Sequence, residues 1–305
     1  MLRPAALAAT ASVLITGASA AAPPLAQLAY IGKYQGTPAL YLANADGSER
    51  MLLARGVSDH TTFSWSPDGQ RLAFTRGGGR SQEIWLVDAH GTGLTQLTHS
   101  AGTRKRTQYD WSENPSWSPA GEWIAFDGER RNQLGRYPQV FVIRPDGSGE
   151  RQVTRAQTTE WIPAWVPGGR IVVEHPVGSR QIDLYSVRAN GTGRLLLGRV
   201  HNEADHCACV AWSPDGTKLA YEAAGTAGKP DIWTMHADGT GRTQLTTHPS
   251  RDENPDWSPD GTQIAFYTER TGNGQIYVMN ADGTKQRRVT RDPWYDQAVR
   301  WRPAP

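Results

Sequence analysis

The chain has 305 residues, a mass of 33.4 kDa and a formal net charge of +2, from 32 Lys and Arg against 30 Asp and Glu. So small a charge excludes the strong positive field on which general nucleic-acid binding depends. Hydrophobic residues make up 38% of the chain and charged residues 20%, which is typical of a globular protein, while 32 Gly and 20 Pro exclude a mainly helical fold. Trp outnumbers Phe by 12 to 5, which suggests one structural role that recurs along the chain.

The first residues have the pattern of a secretory signal peptide. Arg3 supplies the positive start, an apolar stretch runs from Ala5 to Ile15, and Ala18-Ser19-Ala20 has the form of a cleavage site. The apolar stretch is too short to span a bilayer, so no stable membrane insertion is expected. We predict a leader over residues 1–20, a mature chain from near Ala21, and a periplasmic or secreted location. A disordered or anchoring apolar tail is the alternative.

A Trp followed by a turn sequence recurs through the rest of the chain. The copies are Trp65-Ser66-Pro67-Asp68-Gly69, Trp117-Ser118-Pro119-Ala120-Gly121, Trp165-Val166-Pro167-Gly168-Gly169, Trp212-Ser213-Pro214-Asp215-Gly216, Trp257-Ser258-Pro259-Asp260-Gly261 and the shorter Trp301-Arg302-Pro303. Successive Trp residues are 52, 48, 47, 45 and 44 positions apart. These intervals are in the range of a four-stranded propeller blade.

Each repeat predicts four antiparallel strands. In the turn, Pro fixes φ and Gly allows a positive φ, so the Trp strand reverses into a strand such as Leu219-Ala220-Tyr221. A third strand, such as Ile276-Tyr277-Val278-Met279, is apolar on both faces and ends at an Asp-Gly hairpin turn. A short run such as Leu245-Thr246 is the predicted fourth strand. The aromatic residues that mark the third strands are Tyr41, Trp85, Phe141, Tyr185, Trp233 and Tyr277.

The order of the incomplete repeats predicts a closed ring. The chain opens with a second, third and fourth strand, from Leu28 to about Leu53, and a lone first strand ends at Trp301. If that strand pairs beside the opening three, the ring has six blades and no open sheet edge. We therefore predict an all-β, six-bladed propeller of four-stranded antiparallel blades that forms one domain over residues 21–305.

These repeats resemble a known family. The pattern Asn-Pro-x-Trp-Ser-Pro-Asp-Gly-x-x-Ile-Ala-Phe, followed by Ile-Tyr-Val-Met-Asn-Ala-Asp-Gly-Thr, is similar to the TolB-type propeller repeat, and residues 254–284 are nearly an ideal copy. The resemblance runs from about Leu28 to Pro303. It implies a periplasmic protein that binds a peptidoglycan-associated lipoprotein on one propeller face. TolB proteins carry an α/β domain before the propeller; here the repeats start soon after the predicted leader, so that domain is not expected.

The loops that lead into the Trp strands predict a binding site at one mouth of the central channel, where such loops converge. They contain Asp59, His60, Asp110, Glu113, Glu160, Trp161, Asp205, His206, Asp252, Glu253 and Asp296. An acidic rim of this kind suits an amine, a basic peptide or a divalent cation. The alternative is that each side chain caps the backbone of a tight connection, as Asp and Asn often do.

Histidines raise the possibility of a divalent metal at the same mouth. His60 and His206 occupy comparable places in two blades, and His248 lies in a connecting segment. Oligogalacturonate lyases resemble this repeat and hold a metal with histidines. Separate surface histidines are the simpler interpretation, because no fixed ligand spacing supports a cluster.

The two cysteines, Cys207 and Cys209, are two residues apart. On an extended strand their thiols point to one face, at the limit of disulfide reach. A strained bridge, a soft metal site with His206 and two buried side chains all fit this spacing. Burial is favoured, because exposed free thiols rarely persist in an oxidising compartment.

The function that these features predict is non-enzymatic. We expect a propeller that binds an envelope or secreted protein or peptide at its acidic mouth, without a resident cofactor and without nucleic acid. The first alternative is a metal-dependent lyase or hydrolase that acts on a saccharide or other small substrate at the same mouth, and the second is a purely structural module. The chain contains neither a Gly-x-Ser-x-Gly elbow nor a Gly-rich nucleotide motif.

Overall fold

The structure is a computed structural model that describes residues 26–34, 36–58, 62–78, 82–100, 111–130, 137–166, 168–178, 181–201, 209–225, 227–291, 293 and 295–303. The predicted leader is outside these ranges. Over them the chain forms six four-stranded sheets in which every pairing is antiparallel, and it contains no helix. In particular, no described helix has the length and apolar character to cross a membrane.

Five blades are continuous in sequence. Blade 2 is β4 (Phe63–Trp65), β5 (Arg71–Arg76), β6 (Glu83–Asp88) and β7 (Thr95–Gln96), and blade 3 is β8 (Trp111–Trp117), β9 (Ile124–Glu129), β10 (Gln139–Ile143) and β11 (Arg151–Gln152). Blade 4 is β12 (Trp161–Val166), β13 (Arg170–Pro176), β14 (Gln181–Arg188) and β15 (Leu195–His201). Blade 5 is β16 (Ala211–Trp212), β17 (Lys218–Ala224), β18 (Pro230–His236) and β19 (Thr243–Gln244), and blade 6 is β20 (Asp252–Trp257), β21 (Gln263–Thr268), β22 (Gln275–Asn280) and β23 (Arg287–Arg288).

Blade 1 is completed by the last strand of the chain. It combines β1 (Gln27–Tyr34), β2 (Thr37–Asn44) and β3 (Met51–Arg55) with β24 (Asp296–Trp301). β24 pairs antiparallel with β1, with Trp301 opposite Leu28 at one end and Asp296 opposite Gly32 at the other. The prediction of a six-bladed all-β propeller, closed by the C-terminal strand, is confirmed.

The Ser-Pro-Asp-Gly turns form as their residues require. In blade 5 the Ser213 hydroxyl donates to Asp215 Oδ1 over 2.6 Å, and the same oxygen accepts from the backbone N–H of Thr217 at 3.0 Å. The backbone N–H of Gly216 donates to the Ser213 carbonyl at 2.8 Å, and Gly216 has a φ of +69°. Glycine adopts this left-handed conformation without a Cβ clash, so the Trp strand reverses tightly into the second strand.

The fourth strand lies two residues earlier in the sequence than predicted. In blade 5, β19 ends just before Leu245, and the backbone N–H of Leu245 donates to the Ile232 carbonyl at 2.8 Å. The hydroxyl of Thr246 accepts from the backbone N–H of Ile232 at 2.9 Å and donates to Asp231 at 3.0 Å. The Leu-Thr run therefore fastens the outer edge of the blade to the third strand partly through the Thr side chain.

The core of the described part is a ring of six apolar clusters, each between two neighbouring blades. Between blades 5 and 6, for example, Trp257 packs with Ala220, Ile232 and Phe266. Each cluster has one motif Trp in it or packed against it, namely Trp65, Trp117, Trp165, Trp212, Trp257 and Trp301. Burial of so large a side chain contributes about 2–3 kcal/mol at the four interfaces where the motif Trp is 4–6% exposed, and less where Trp165 and Trp212 are only partly buried. The recurrence of Trp in the sequence thus has one structural role.

The Trp strands form the inner ring around the channel. Strand β4 contacts β8 and β24, β8 contacts β12, and β20 contacts β16 and β24. At three interfaces the residue before a Trp accepts a hydrogen bond from the backbone N–H of the next blade's Trp: Ser64 from Trp117 at 3.1 Å, Ser116 from Trp165 at 3.1 Å and Asp256 from Trp301 at 2.7 Å. We call the end of the channel where the Trp strands begin the entry end, and the end where they reach their turns the turn end.

Candidate functional site

The predicted rim residues fall into three groups. Asp59, His60, Asp110, Asp205 and His206 lie outside the described residues. Asp252, Glu160 and Asp296 each precede a motif Trp by five positions and are 0, 0 and 1% exposed. Glu113, Trp161 and Glu253 each precede a motif Trp by four positions and are partly exposed.

Two of the buried carboxylates form ion pairs with arginine. Both Asp252 oxygens accept from Arg270 Nη2, at 3.1 and 2.9 Å, and the Arg270 guanidinium lies over the Tyr277 ring, 5.0 Å from its centroid. Glu160 accepts from Arg194 and lies 3.7 Å from His175 Nδ1. These contacts support a structural role for the position five residues before the motif Trp. A binding role for Asp252, Glu160 and Asp296 stays a prediction.

A β-bulge in the first strand orients backbone N–H groups at the entry end. In β20 the register against β21 shifts between Glu253 and Asp256, and Asn254 has a φ of +54°. Asn114, at the same place in β8, has a φ of +52°. Asn tolerates this left-handed region better than most residues. The bulge aims the backbone N–H of each Asn at the second strand of the preceding blade: Asn114 donates to Thr75 Oγ1 at 3.2 Å, and Asn254 to Glu222 Oε1 at 2.5 Å.

The position that receives these bonds carries an acid in three consecutive blades. Asp127 on β9, Glu174 on β13 and Glu222 on β17 are only 2, 0 and 3% exposed. Asp127 is directly opposite Glu113 in the ladder of blade 3, and Glu222 meets the bulge that follows Glu253. We call Glu113, Asp127, Glu174, Glu222 and Glu253 the inner carboxylate belt.

Asp127, Glu174 and Glu222 were not among the predicted site residues. Each directly follows the apolar triplet of a second strand, as in Leu219-Ala220-Tyr221-Glu222. These acids could have been identified from their place in the sequence. The second strand is buried on both faces, and a carboxylate in such a strand is costly to bury unless a partner or a ligand compensates its charge.

Two members of the belt act electrostatically on Glu222 from neighbouring blades. Burial raises the pKa of Glu222 well above its ordinary value, and the negative charges of Glu253 and Glu174 raise it further. Burial also raises the pKa of Glu113 to about 7. Arg251 donates to Glu253 Oε1 at 2.9 Å and partly offsets the negative charge. The entry end therefore concentrates carboxylates from blades 3, 4, 5 and 6.

The described histidines and cysteines do not form a metal site. Nowhere in the described ranges do three or more His, Cys, Asp or Glu residues form a group that could hold a metal ion. His248 Nδ1 accepts from the backbone N–H of Ser250 at 3.1 Å. Cys209 is 6% exposed and disulfide-bonded, so its thiol is not free. Its side chain is buried as expected, but the favoured interpretation of two unbridged side chains is wrong, because a bridge is present. Cys207 lies outside the described residues.

Comparison with known proteins gives relatives that share parts of this chain. The family model described as the TolB beta propeller domain matches residues 3–199 and 192–304. An uncharacterized protein of Agrobacterium fabrum is 29% identical over 199 residues, which are 61% of this chain and 62% of that protein. The Tol-Pal system protein TolB of Anaeromyxobacter dehalogenans is 36% identical over 124 residues, 40% of this chain and 27% of TolB. The chain thus spans less than two thirds of the length of either relative.

Solved structures show the same architecture. TolB from Acinetobacter baumannii has a TM-score of 0.71 and 19% identity, over 91% of this chain and 67% of that one. An oligogalacturonate lyase in complex with manganese has a TM-score of 0.57 and 16% identity, over 88% of this chain and 74% of the lyase. At such identities the likeness shows the fold alone.

Proposed function

The chain belongs to the family of TolB β-propeller domains, and on that premise we propose that it is a scaffold that binds a protein or peptide at the entry end of its channel. The ligand group that fits there is cationic: a Lys or Arg side chain, or a terminal amine. It is carried on a segment narrow enough to enter the channel that the Trp strands surround. The partner is then an envelope or secreted protein with an accessible basic segment.

The observation that carries this proposal is the contact of Glu222 with the next blade, where its Oε1 accepts from the backbone N–H of Asn254, the neighbour of Glu253, at 2.5 Å. The negative charges of Glu253 and Glu174 add to the effect of burial in raising the pKa of Glu222. Carboxylates that only cap separate turns act independently, as Asp215 does within its own turn. The negative charges of Glu253 and Glu174 act on Glu222, so a positive group bound beside Glu222 would interact with carboxylates of three blades. Such a group would reduce the repulsion between the carboxylates, and this reduction would contribute to the free energy of binding.

The entry end also offers an aromatic surface. Trp161 on β12 is partly exposed and occupies the same position in its strand as Glu113 and Glu253 do in theirs. An indole face attracts an alkylammonium or guanidinium group in addition to the carboxylates. A basic side chain therefore has both charge and aromatic partners at this end.

A periplasmic or secreted location is part of this proposal. It is supported by the leader pattern of residues 1–20 and by the similarity to the Tol-Pal system protein TolB. N-terminal sequencing of the protein from expressing cells should find a chain that starts near Ala21. A soluble cytoplasmic protein that retains Met1 would contradict the location.

Two charge-matched variants test the binding site. In the entry variant, Glu113→Gln and Glu253→Gln remove two carboxylates of the belt. In the control, Asp46→Asn and Asp282→Asn remove two exposed carboxylates from hairpins at the turn end, where Asn can still accept the 2.9 Å bonds from Ser48 and Thr284. At pH 8, where the Glu113 carboxyl is mostly ionised, the two variants change the net charge by nearly the same amount.

The assay measures tetralysine binding by calorimetry and partner capture from envelope extracts. We expect the entry variant to bind tetralysine about tenfold more weakly and to lose the captured partner, while the control behaves as the parent. Added salt should weaken the parent's binding. Equal binding by both variants at low and moderate salt would contradict the proposal.

The same binding should depend on pH. Because the pKa of Glu113 is about 7, its carboxyl gains charge between pH 6 and pH 8, and tetralysine should bind more tightly at pH 8. The Glu113→Gln variant should lose this part of the pH dependence.

A second assay tests the alternative function, a metal-dependent enzyme that acts on a saccharide. The purified protein is assayed for bound metal and for cleavage of polygalacturonate with added manganese. Stoichiometric metal with cleavage would favour the enzyme over the scaffold.

A further inference from the structure

The turn end of the channel holds a cavity of about 380 Å³, at the opposite end from the inner carboxylate belt. Its walls come from blades 1, 2, 5 and 6 and consist of Ser64, Trp65, Pro214, Asp256, Trp257, Pro259, Arg300, Trp301 and Pro303. This volume is near the lower end of the roughly 300–1,000 Å³ of small-molecule sites. A compact ligand with an apolar body fits walls of Trp and Pro.

Asp256 and Arg300 interrupt the repeat at this cavity. Both occupy the position just before a motif Trp, where the other blades have Ser64, Ser116, Ala164 and Ala211. The channel therefore carries one negative and one positive side chain at a position that is otherwise small and uncharged. Blade closure does not require either charge, because the blades with Ala at this position close as well.

The two charged groups are close to each other but do not satisfy each other. Arg300 Nε is 3.9 Å from Asp256 Oδ1, which is beyond hydrogen-bond distance, and the side chains are 19 and 18% exposed. Asp256 Oδ2 accepts from the backbone N–H of Trp301, and Arg300 Nη1 donates to the Val299 carbonyl at 2.8 Å. Within the described part of the chain, Asp256 Oδ1 and the other N–H groups of Arg300 have no hydrogen-bond partner.

We propose that this cavity binds a small apolar zwitterion of amino-acid size, with its carboxylate on the Arg300 guanidinium and its ammonium group on Asp256 Oδ1. The guanidinium has several N–H groups available for a carboxylate, which is its preferred partner. The Trp and Pro walls contact the apolar part of the ligand. This site is separate from the entry end, so it does not depend on the proposed function.

The indole N–H groups of Trp65, Trp257 and Trp301 are buried and make no hydrogen bond to the described residues. The same is true of Trp117, Trp165 and Trp212, which do not line the cavity, so this feature belongs to the repeat. The proposal therefore rests on Asp256 and Arg300 and not on the indoles.

A matched ligand series tests the proposal on the unmodified chain. Calorimetry compares L-leucine with 4-methylpentanoate, which lacks the ammonium group, and with 3-methylbutylamine, which lacks the carboxylate. We expect leucine to bind at least about tenfold more tightly than either analogue, since each loses a charge-assisted hydrogen bond. Equal binding of leucine and 4-methylpentanoate, or no leucine binding at about 10 mM, would overturn the proposal.

Three variants then locate the ligand. Asp256→Asn keeps an oxygen for the Trp301 N–H, and Arg300→Gln replaces the guanidinium by a shorter, uncharged polar group; both should bind leucine about tenfold more weakly or worse. Glu253→Gln at the entry end should bind leucine as the parent does. Circular dichroism and thermal unfolding confirm the fold of each variant. Unchanged affinity in folded Asp256→Asn or Arg300→Gln would place leucine elsewhere and refute the site.

Acidic pH provides an independent measurement. Burial raises the pKa of Asp256 to about 6, against the opposing charge of Arg300, and these two are the charged residues that line the cavity. Leucine affinity should fall between pH 7 and pH 5, as the carboxyl becomes protonated and loses its attraction for the ammonium group. Affinity that stays constant over this range would contradict the assigned role of Asp256.

Discussion

Glu222 in blade 5 accepts a hydrogen bond of 2.5 Å from the backbone N–H of Asn254, the bulge residue of blade 6. The bond crosses an interface between blades and holds a residue whose φ of +54° is in the left-handed region. Thr75 and Asn114 form the same link between blades 2 and 3, at 3.2 Å. A neutral hydroxyl thus suffices for the link, whereas Glu222 adds a carboxylate that is only 3% exposed.

Two variants of Glu222 distinguish the effect of its hydrogen-bond acceptor from the effect of its negative charge. Glu222→Gln keeps an oxygen for the Asn254 N–H, while Glu222→Ala leaves that N–H without an acceptor. We expect the Ala variant to lose about 1–3 kcal/mol of unfolding free energy, and the Gln variant to be at least as stable as the parent at pH 8. Urea unfolding at 25 °C measures both values.

The same variants differ in pH dependence. Because the pKa of Glu222 is raised in the folded state, folding retains its proton above the pH at which the unfolded chain releases it. The parent therefore loses stability as pH rises from about 5 to 8, and Glu222→Gln should lose less. Parallel pH profiles of the parent and the Gln variant would show that Glu222 titrates normally and would reject this account.

The second prediction concerns the buried pair of Asp252 and Arg270. Asp252 is 0% exposed in its side chain and Arg270 14%, so Asp252→Ala leaves a guanidinium without its charge partner. We expect a loss of about 3–5 kcal/mol, measured by denaturant unfolding. The control is Glu150→Ala, which breaks the more exposed ion pair with Arg130 and should cost at most about 1 kcal/mol. Similar losses in both variants would argue against a structural role of Asp252.

The third prediction concerns closure of the ring. Deletion of residues 297–305 removes nearly all of β24, so β1 loses its neighbour and Trp301 is removed from its cluster with Ala265 and Val278. The truncated chain should aggregate or melt at a much lower temperature. Trp301→Phe, which retains the strand and an aromatic ring, should fold with a smaller loss. A truncated chain that is monomeric and melts like the parent would show that closure adds no stability.

The fold could be predicted from the sequence because its determinants are local and repeated. A Trp, a Ser-Pro-Asp-Gly turn and an apolar triplet specify a strand, a reversal and a second strand within a few residues. The position of the lone strand that ends at Trp301 then predicted the closure, which the pairing of Leu28 with Trp301 confirms. None of these steps requires knowledge of contacts between blades.

The candidate site depended on such contacts. Asp252 and Glu253 were predicted to lie in a loop but are consecutive residues of β20. Asp252 is buried against Arg270, whereas the charge of Glu253 acts on Glu222 of another blade. Successive side chains of a strand point to opposite faces, and the bulge at Asn254 shifts the register, so composition alone could not separate the two. Glu222 lies in a strand whose pattern indicates core. Its role depends on a backbone N–H that approaches from the next blade, and only the closed ring brings Asn254 within 2.5 Å of it.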